Sequence, residues 1–240
     1  MLENLWTLEN AAALITLTAM ELVLGIDNIV FIAIVTGRLP KEHQGRARRL
    51  GLFGAMFLRI GLLLAITVIM RLTSPLFHLF SHAVSGRDLI LLAGGLFLIG
   101  KATHEIHNRL EGTLRPQTPT GKAHGDFRSV LVQILLLDMV FSLDSIITAV
   151  GMARHLTVMI GAIVLAVGSM MFFAGVVSAF IDRHPTLKIL ALSFLLLIGV
   201  MLVAEGFGKH IERGYIYFAM GFSVFVEVLN LRVRRQAQTL

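Results

Sequence analysis

The chain has 240 residues, of which 56% are hydrophobic and 15% charged, and a mean hydropathy of +0.81. Soluble domains carry about 25% charged residues, so a soluble globular class is excluded. The net charge of +6 does not point to nucleic acid, because the basic residues lie between apolar runs long enough to cross a bilayer. The absence of cysteine excludes disulfides, thiolate ligands and thiol redox chemistry, leaving oxygen or imidazole to hold any metal.

Seven apolar runs predict transmembrane helices over residues 9–36, 49–71, 87–106, 128–151, 156–180, 187–205 and 214–232. Each is close to or above the ~20 residues that a bilayer requires. Residues 1–6 offer no basic cluster and no small-residue cleavage site, so span 1 is expected to be its own insertion signal. Span 1 carries Glu21, Asp27 and Asn28 in its interior, and span 2 carries Arg59. Span 3 contains Gly94 and Gly95, which favour close helix packing, and ends on Lys101, His104, Glu105 and His107. The segment that follows contains Arg115, Pro116, Pro119 and Gly121 and reads as a flexible linker. Span 4 holds Asp138, Ser142, Asp144 and Ser145. In span 5, Met170 and Met171 are adjacent, point different ways on a helix and read as core filling. Span 6 ends at Glu205, and Glu227 and Asn230 in span 7 read as groups that hydrogen-bond between helices.

Basic residues set the orientation. Fifteen Lys and Arg fall on one set of alternating loops and five on the other, with Arg59 inside a span. The positive-inside rule then places the N-terminus outside and the C-terminus in the cytoplasm of a multi-pass inner-membrane protein.

Spans 1–3 and 4–6 read as two copies of one unit. Glu21 matches Asp138, Asp27 matches Asp144 and Asn28 matches Ser145, all at an offset of 117 residues. Leu98-Ile99-Gly100 returns as Leu197-Ile198-Gly199, each followed shortly by an acid, Glu105 or Glu205. An odd number of spans per copy turns the copies upside down relative to one another, the plan of many secondary transporters. The expected architecture is therefore all-α: seven transmembrane helices in a single membrane domain. Repeat 1 covers 9–106, a cytoplasmic linker 107–127, repeat 2 128–205, and the last helix and tail 206–240.

Acids inside apolar spans are costly in lipid and mark function by default. On a continuous helix, two residues six apart lie about 120° round and ~9 Å along the axis. Either the two acids serve different faces or the helix is interrupted, and Gly25, Asn28, Ser142 and Ser145 favour interruption. A pseudo-two-fold axis would join Asp27 and Asp144 at the midplane with Glu21 and Asp138 flanking. Asn28 and Ser145 would complete an oxygen cage suited to Mn²⁺, Mg²⁺ or Ca²⁺. Without a cation such carboxylates repel and take up protons, which gives a physical basis for metal/proton exchange. The blander reading pairs the acids with Arg59 or Lys101, which accounts for one or two of the four. Arg59, Lys101, Glu105 and Glu205 are the candidate counter-ions or proton-relay groups; an interfacial role is the alternative for the last three.

At these motifs, and at Lys101, His104, Glu105, His107, Gly214 to Met220, Glu227 and Asn230, the chain resembles the TerC family of integral membrane proteins, in its short, membrane-only form. The resemblance covers residues 10–232. It implies a seven-span inner-membrane protein of the LysE-like transporter superfamily, linked to Mn²⁺ export and to tellurite resistance. Lack of cysteine favours the first role. The expected function is thus export of Mn²⁺ or a related divalent cation, in exchange for protons, with no tightly bound cofactor, no enzymatic activity and no nucleic-acid partner. The alternative is a non-transporting scaffold, or a metal-loading or resistance factor, that binds the same ion. An intramembrane aspartyl protease would use two membrane aspartates as an acid/base dyad, but its glycine-flanked motif is missing here.

Overall fold

The computed structural model describes residues 8–66, 70, 73–79, 82–111, 126–152, 155–209 and 211–237. Most of the expected linker lies outside these residues, as does the side chain of Asp144. Seven helices are found among the described residues: α1 (Leu8–Thr36), α2 (Lys41–Leu64), α3 (Gly86–Glu111), α4 (Phe127–Met152), α5 (Leu156–Arg183), α6 (Pro185–Gly206) and α7 (Arg213–Ala237). An antiparallel hairpin of β1 (Pro75–Leu79) and β2 (His82–Ser85) joins α2 to α3, where only a loop is expected from sequence.

Five helices are long and apolar enough to cross a membrane among the described residues: α1, Gly86–Asn108 of α3, α5, α6, and Arg213–Val233 of α7. The first turns of α2 carry Lys41, Glu42, Arg46, Arg48 and Arg49, so that helix begins well before the apolar run that flags it.

Local chemistry fixes the boundaries. At the start of α3, Ser85 and Asp88 form a reciprocal cap: the Ser85 amide and hydroxyl donate to Asp88 Oδ2 at 2.8 and 2.7 Å, and the Asp88 amide donates to Ser85 Oγ at 3.2 Å. His184 is extended (φ −125°, ψ 97°), as a residue before proline must be, and Pro185 opens α6 without needing an amide. Gly208 closes α6 at φ 74°, a left-handed conformation that lets its amide donate to Glu205 O at 2.8 Å.

Three helix pairs dominate the packing. Along α1, Leu14 lies by Gly161, Gly25 by Met170 and Gly37 by Asp182, so α1 and α5 run parallel. Along α2, Gly51 meets Ile134, Gly54 meets Leu135 and Arg59 meets Asp138, so α2 and α4 are also parallel. The α3–α6 pair is antiparallel, with Gly95 against Gly199 and Leu92 against Gly206. A Cβ on Gly95 would stand 2.7 Å from the Gly199 carbonyl, and one on Gly199 2.9 Å from the Gly95 carbonyl. Neither main chain can yield, so this crossing requires glycine on both sides. The core between the pairs is apolar, with Leu63, Leu91, Leu98, Ile134, Leu137 and Leu202 almost fully buried.

The interruption expected in spans 1 and 4 is not found. Both α1 and α4 are unbroken. The polar groups that favoured a break are satisfied by other means: Asn28 and Ser142 donate to a neighbouring carboxylate, and Ser145 donates to the Ser142 carbonyl at 3.3 Å. Gly25 leaves room for the Met170 side chain rather than bending the helix.

Candidate ion-binding site

Helical spacing sorts the polar residues of α1 into two directions. Asn28 follows Glu21 by seven residues, two turns, so both point the same way, whereas Asp27 lies a further ~100° round. On α4, Asp138, Ser142 and Ser145 follow the i, i+4, i+7 stripe and also share a face. Those two faces meet, and Arg59 of α2 enters between them.

The Arg59 guanidinium is the hub. Its Nη2 donates to Asp138 Oδ1 at 2.6 Å, and its Nε lies 3.1 and 3.3 Å from the two Asp138 oxygens. Its Nη1 pairs with Glu21. Asn28 Nδ2 donates to Asp138 Oδ1 and Ser142 Oγ donates to Asp138 Oδ2, both at 3.2 Å. The side chains of Arg59, Glu21 and Asp138 are 4%, 8% and 6% exposed, so the cluster is sealed from solvent. Two buried carboxyl groups thus converge on one guanidinium.

Asp27 stands apart from this cluster. It faces α7, where Tyr217 and Arg213 are the polar groups nearest its carboxyl. Arg213 Nη2 is 3.9 Å from Glu205 Oε2 at the end of α6. Asp27 is 6% exposed, and its Oδ1 has no hydrogen-bond partner among the described residues. At the other end of α1, Arg38 pairs with Glu105 of α3, one turn beyond Lys101.

The sequence-derived residues therefore separate. Glu21, Asp138, Asn28 and Arg59 come together; Asp27 joins an Asp27–Tyr217–Arg213–Glu205 series; Lys101 and Glu105 sit with Arg38. Ser145 backs Ser142 instead of reaching a carboxylate, and the side chain of Asp144 lies outside the described residues. Among the described residues, no three Asp, Glu, His or Cys side chains converge closely enough to hold a metal ion. Arg59 takes the position between Glu21 and Asp138 where a cation's charge would be neutralised. Sequence reasoning missed Ser142 as a carboxylate partner, and Tyr217, Arg213 and Arg38 as members of polar clusters. A signal for two of them was present: Arg213 and Tyr217 are four apart, on one face of α7.

The TerC family of integral membrane proteins matches the chain over residues 6–239. A UPF0053 protein of Haemophilus influenzae is 56% identical over 223 residues, covering 93% of this chain and 94% of that protein. The UPF0053 inner membrane protein YgdQ of Escherichia coli K12 is 54% identical over 219 residues, 91% of each chain. YoaE, another UPF0053 inner membrane protein of E. coli K12, is 50% identical over 224 residues, which span 93% of this chain but 43% of YoaE. No solved structure matches. With a family match over nearly its whole length, polar groups on several packed helices and helices able to span a bilayer, the chain belongs to the TerC family of integral membrane proteins.

Proposed function

We propose that the chain carries a divalent cation, Mn²⁺ first among them, outward across the inner membrane in exchange for protons. The observation that supports this most directly is Arg59 held between Glu21 and Asp138. Two carboxylates sharing one buried cation form a site for positive charge, and a guanidinium on a long side chain can be exchanged for a metal ion. Glu21 and Asp138 would then offer oxygen ligands, with Asn28 and Ser142 free to turn their oxygens inward, a donor set suited to hard divalent ions. A pure ion-pair role accounts for Glu21 and Asp138 but leaves Asp27 without a reason to sit in the membrane. Its unpartnered Oδ1 gives an arriving cation or proton somewhere to bind.

The seven-span, inverted-repeat architecture belongs to the same reading. An axis in the membrane plane that exchanges spans 1–3 with 4–6 carries the parallel α1–α5 pair onto the parallel α4–α2 pair. It carries the antiparallel α3–α6 pair onto itself. The helix pairing has this pattern, and it favours a fixed site between two units that rock against one another. Arg38–Glu105 and Arg213–Glu205 lie toward opposite ends of that site and would close it in turn.

Purified protein in liposomes, with Mn²⁺, Ca²⁺, Mg²⁺ and Zn²⁺ offered outside and metal and pH reporters inside, tests the proposal. Mn²⁺ flux with counter-moving protons is expected, abolished by Asp27→Asn, Asp138→Asn or Asp144→Asn. Undiminished flux in all three variants would sink it. Saturable Mn²⁺ binding without flux would favour a scaffold or metal-loading role.

A further inference from the structure

The end of α1, the start of α2, the end of α5 and the start of α6 surround an open cleft of about 540 Å³. Lys41, Gln44 and Arg48 line it from α2, spaced three and four residues apart and so on one face. Asp182 and Arg183 enter from α5 and Lys188 from α6. Four cations thus face one carboxylate, and Asp182 is already engaged by Lys188 Nζ at 2.6 Å. Burial lowers the pKa of the Arg48 guanidinium, an effect that Asp182 opposes. The α5 wall is lined by the small residues Gly175 and Ala179. Beyond it the outer face of α5 is apolar and exposed at Phe172, Val176 and Phe180.

We propose that this cleft binds the phosphate of an anionic phospholipid, with the acyl chains lying along the apolar face of α5. Excess positive charge supplies the attraction to the phosphate oxygens, and Arg48 and Arg183 can hold them with forked hydrogen bonds. A free phosphate would meet the same cations but gain nothing from the apolar wall. Basic pockets between transmembrane helices on the cytoplasmic side bind acidic headgroups in this way. The choice of the cytoplasmic leaflet rests on the orientation set by the basic loops; the cleft shares no residue with the Arg59 cluster or the Asp27 series.

Native mass spectrometry of the full chain in detergent, titrated with phosphatidylglycerol, cardiolipin, phosphatidylcholine or inorganic phosphate, tests the site. Phosphatidylglycerol and cardiolipin should be retained, phosphatidylcholine should not, and millimolar phosphate should fail to displace the lipid. The double variant Lys41→Gln/Arg48→Gln should weaken retention by about thirtyfold, and Arg183→Gln alone by about fivefold. Arg49→Gln, outside the cleft, should leave it unchanged. Asp138→Asn, which tests the ion path, should also retain lipid as wild type does, so one reading can fail without the other. Equal retention by the cleft variants and Arg49→Gln, retention of phosphatidylcholine as strongly, or displacement by phosphate would each overturn the proposal. Should the double variant not fold, Arg183→Gln decides the same question.

Discussion

Replacing Arg59 by glutamine removes the only cation that contacts both Glu21 and Asp138 among the described residues. The guanidinium makes three contacts of 2.6 to 3.3 Å with Asp138 and a fourth with Glu21, all at side chains less than a tenth exposed. Removing one partner of such a buried pair costs about 3–5 kcal/mol, because the remaining charge is left uncompensated. For a chain of this length, 3 kcal/mol corresponds to about 6–12 °C in melting midpoint. If Glu21 and Asp138 are ligands as well as ion-pair partners, a divalent cation can take the vacated place. Mn²⁺ at a hundredfold excess over its Kd would then restore about 2.7 kcal/mol to Arg59→Gln, and less to wild type, where the guanidinium competes. Thermal unfolding in detergent, with and without Mn²⁺ and with K⁺ as control, reads both quantities. Adding Asp138→Asn to Arg59→Gln should recover part of the loss by removing the stranded charge, the signature of direct coupling. A wild-type midpoint in Arg59→Gln would refute the buried pair. A lowered midpoint that Mn²⁺ leaves unmoved would refute the exchange of guanidinium for metal.

Gly95→Ala should lower the unfolding free energy by about 1–3 kcal/mol, since the new methyl meets the Gly199 carbonyl and the Val203 amide of the α6 backbone; Gly100→Ala, with open space around it, should be close to neutral in the same melt. Ser142→Ala deletes one hydrogen bond to Asp138 and should cost about 1 kcal/mol in stability, read by the same unfolding measurement, and Mn²⁺ flux should fall with the loss of one oxygen donor. Tyr217→Phe removes the hydroxyl that faces Asp27 and Arg213. Liposome flux should fall about tenfold and the melting midpoint by about 3–6 °C, the loss of a polar partner of a buried carboxylate costing about 1.5 kcal/mol.

Several parts of this arrangement were legible in the sequence. Long apolar runs flagged all seven helices, and the single basic residue inside a span identified Arg59 as a partner for the acids. Its two partners lie 38 and 79 residues away, and helical spacing alone could not tell which acids it would meet. Spacing did correctly separate Glu21 from Asp27, but it was silent about what either would face. Glu105 reads in the sequence as a candidate counter-ion or relay group, but its partner Arg38 emerges only once α1 and α3 are brought together. The hairpin before α3 was invisible to a hydropathy reading, because its strands are short and its Ser85–Asp88 cap is a matter of geometry. The early start of α2 was missed for a related reason: its first two turns are helical but too charged to resemble a membrane span.

The Gly95–Gly199 crossing has a mechanical consequence. Most helix pairs are keyed together by side chains, as α1 and α5 are by the Met170 thioether lying over Gly25. Such a key must be withdrawn before either helix can turn. At the Gly95–Gly199 crossing the main chains touch and there is a key on each side, Val203 Cγ2 standing over Gly95 and Ile99 Cγ1 over Gly199. The α3–α6 pair is therefore locked from both helices, and any turn of one over the other must first withdraw two side chains rather than one.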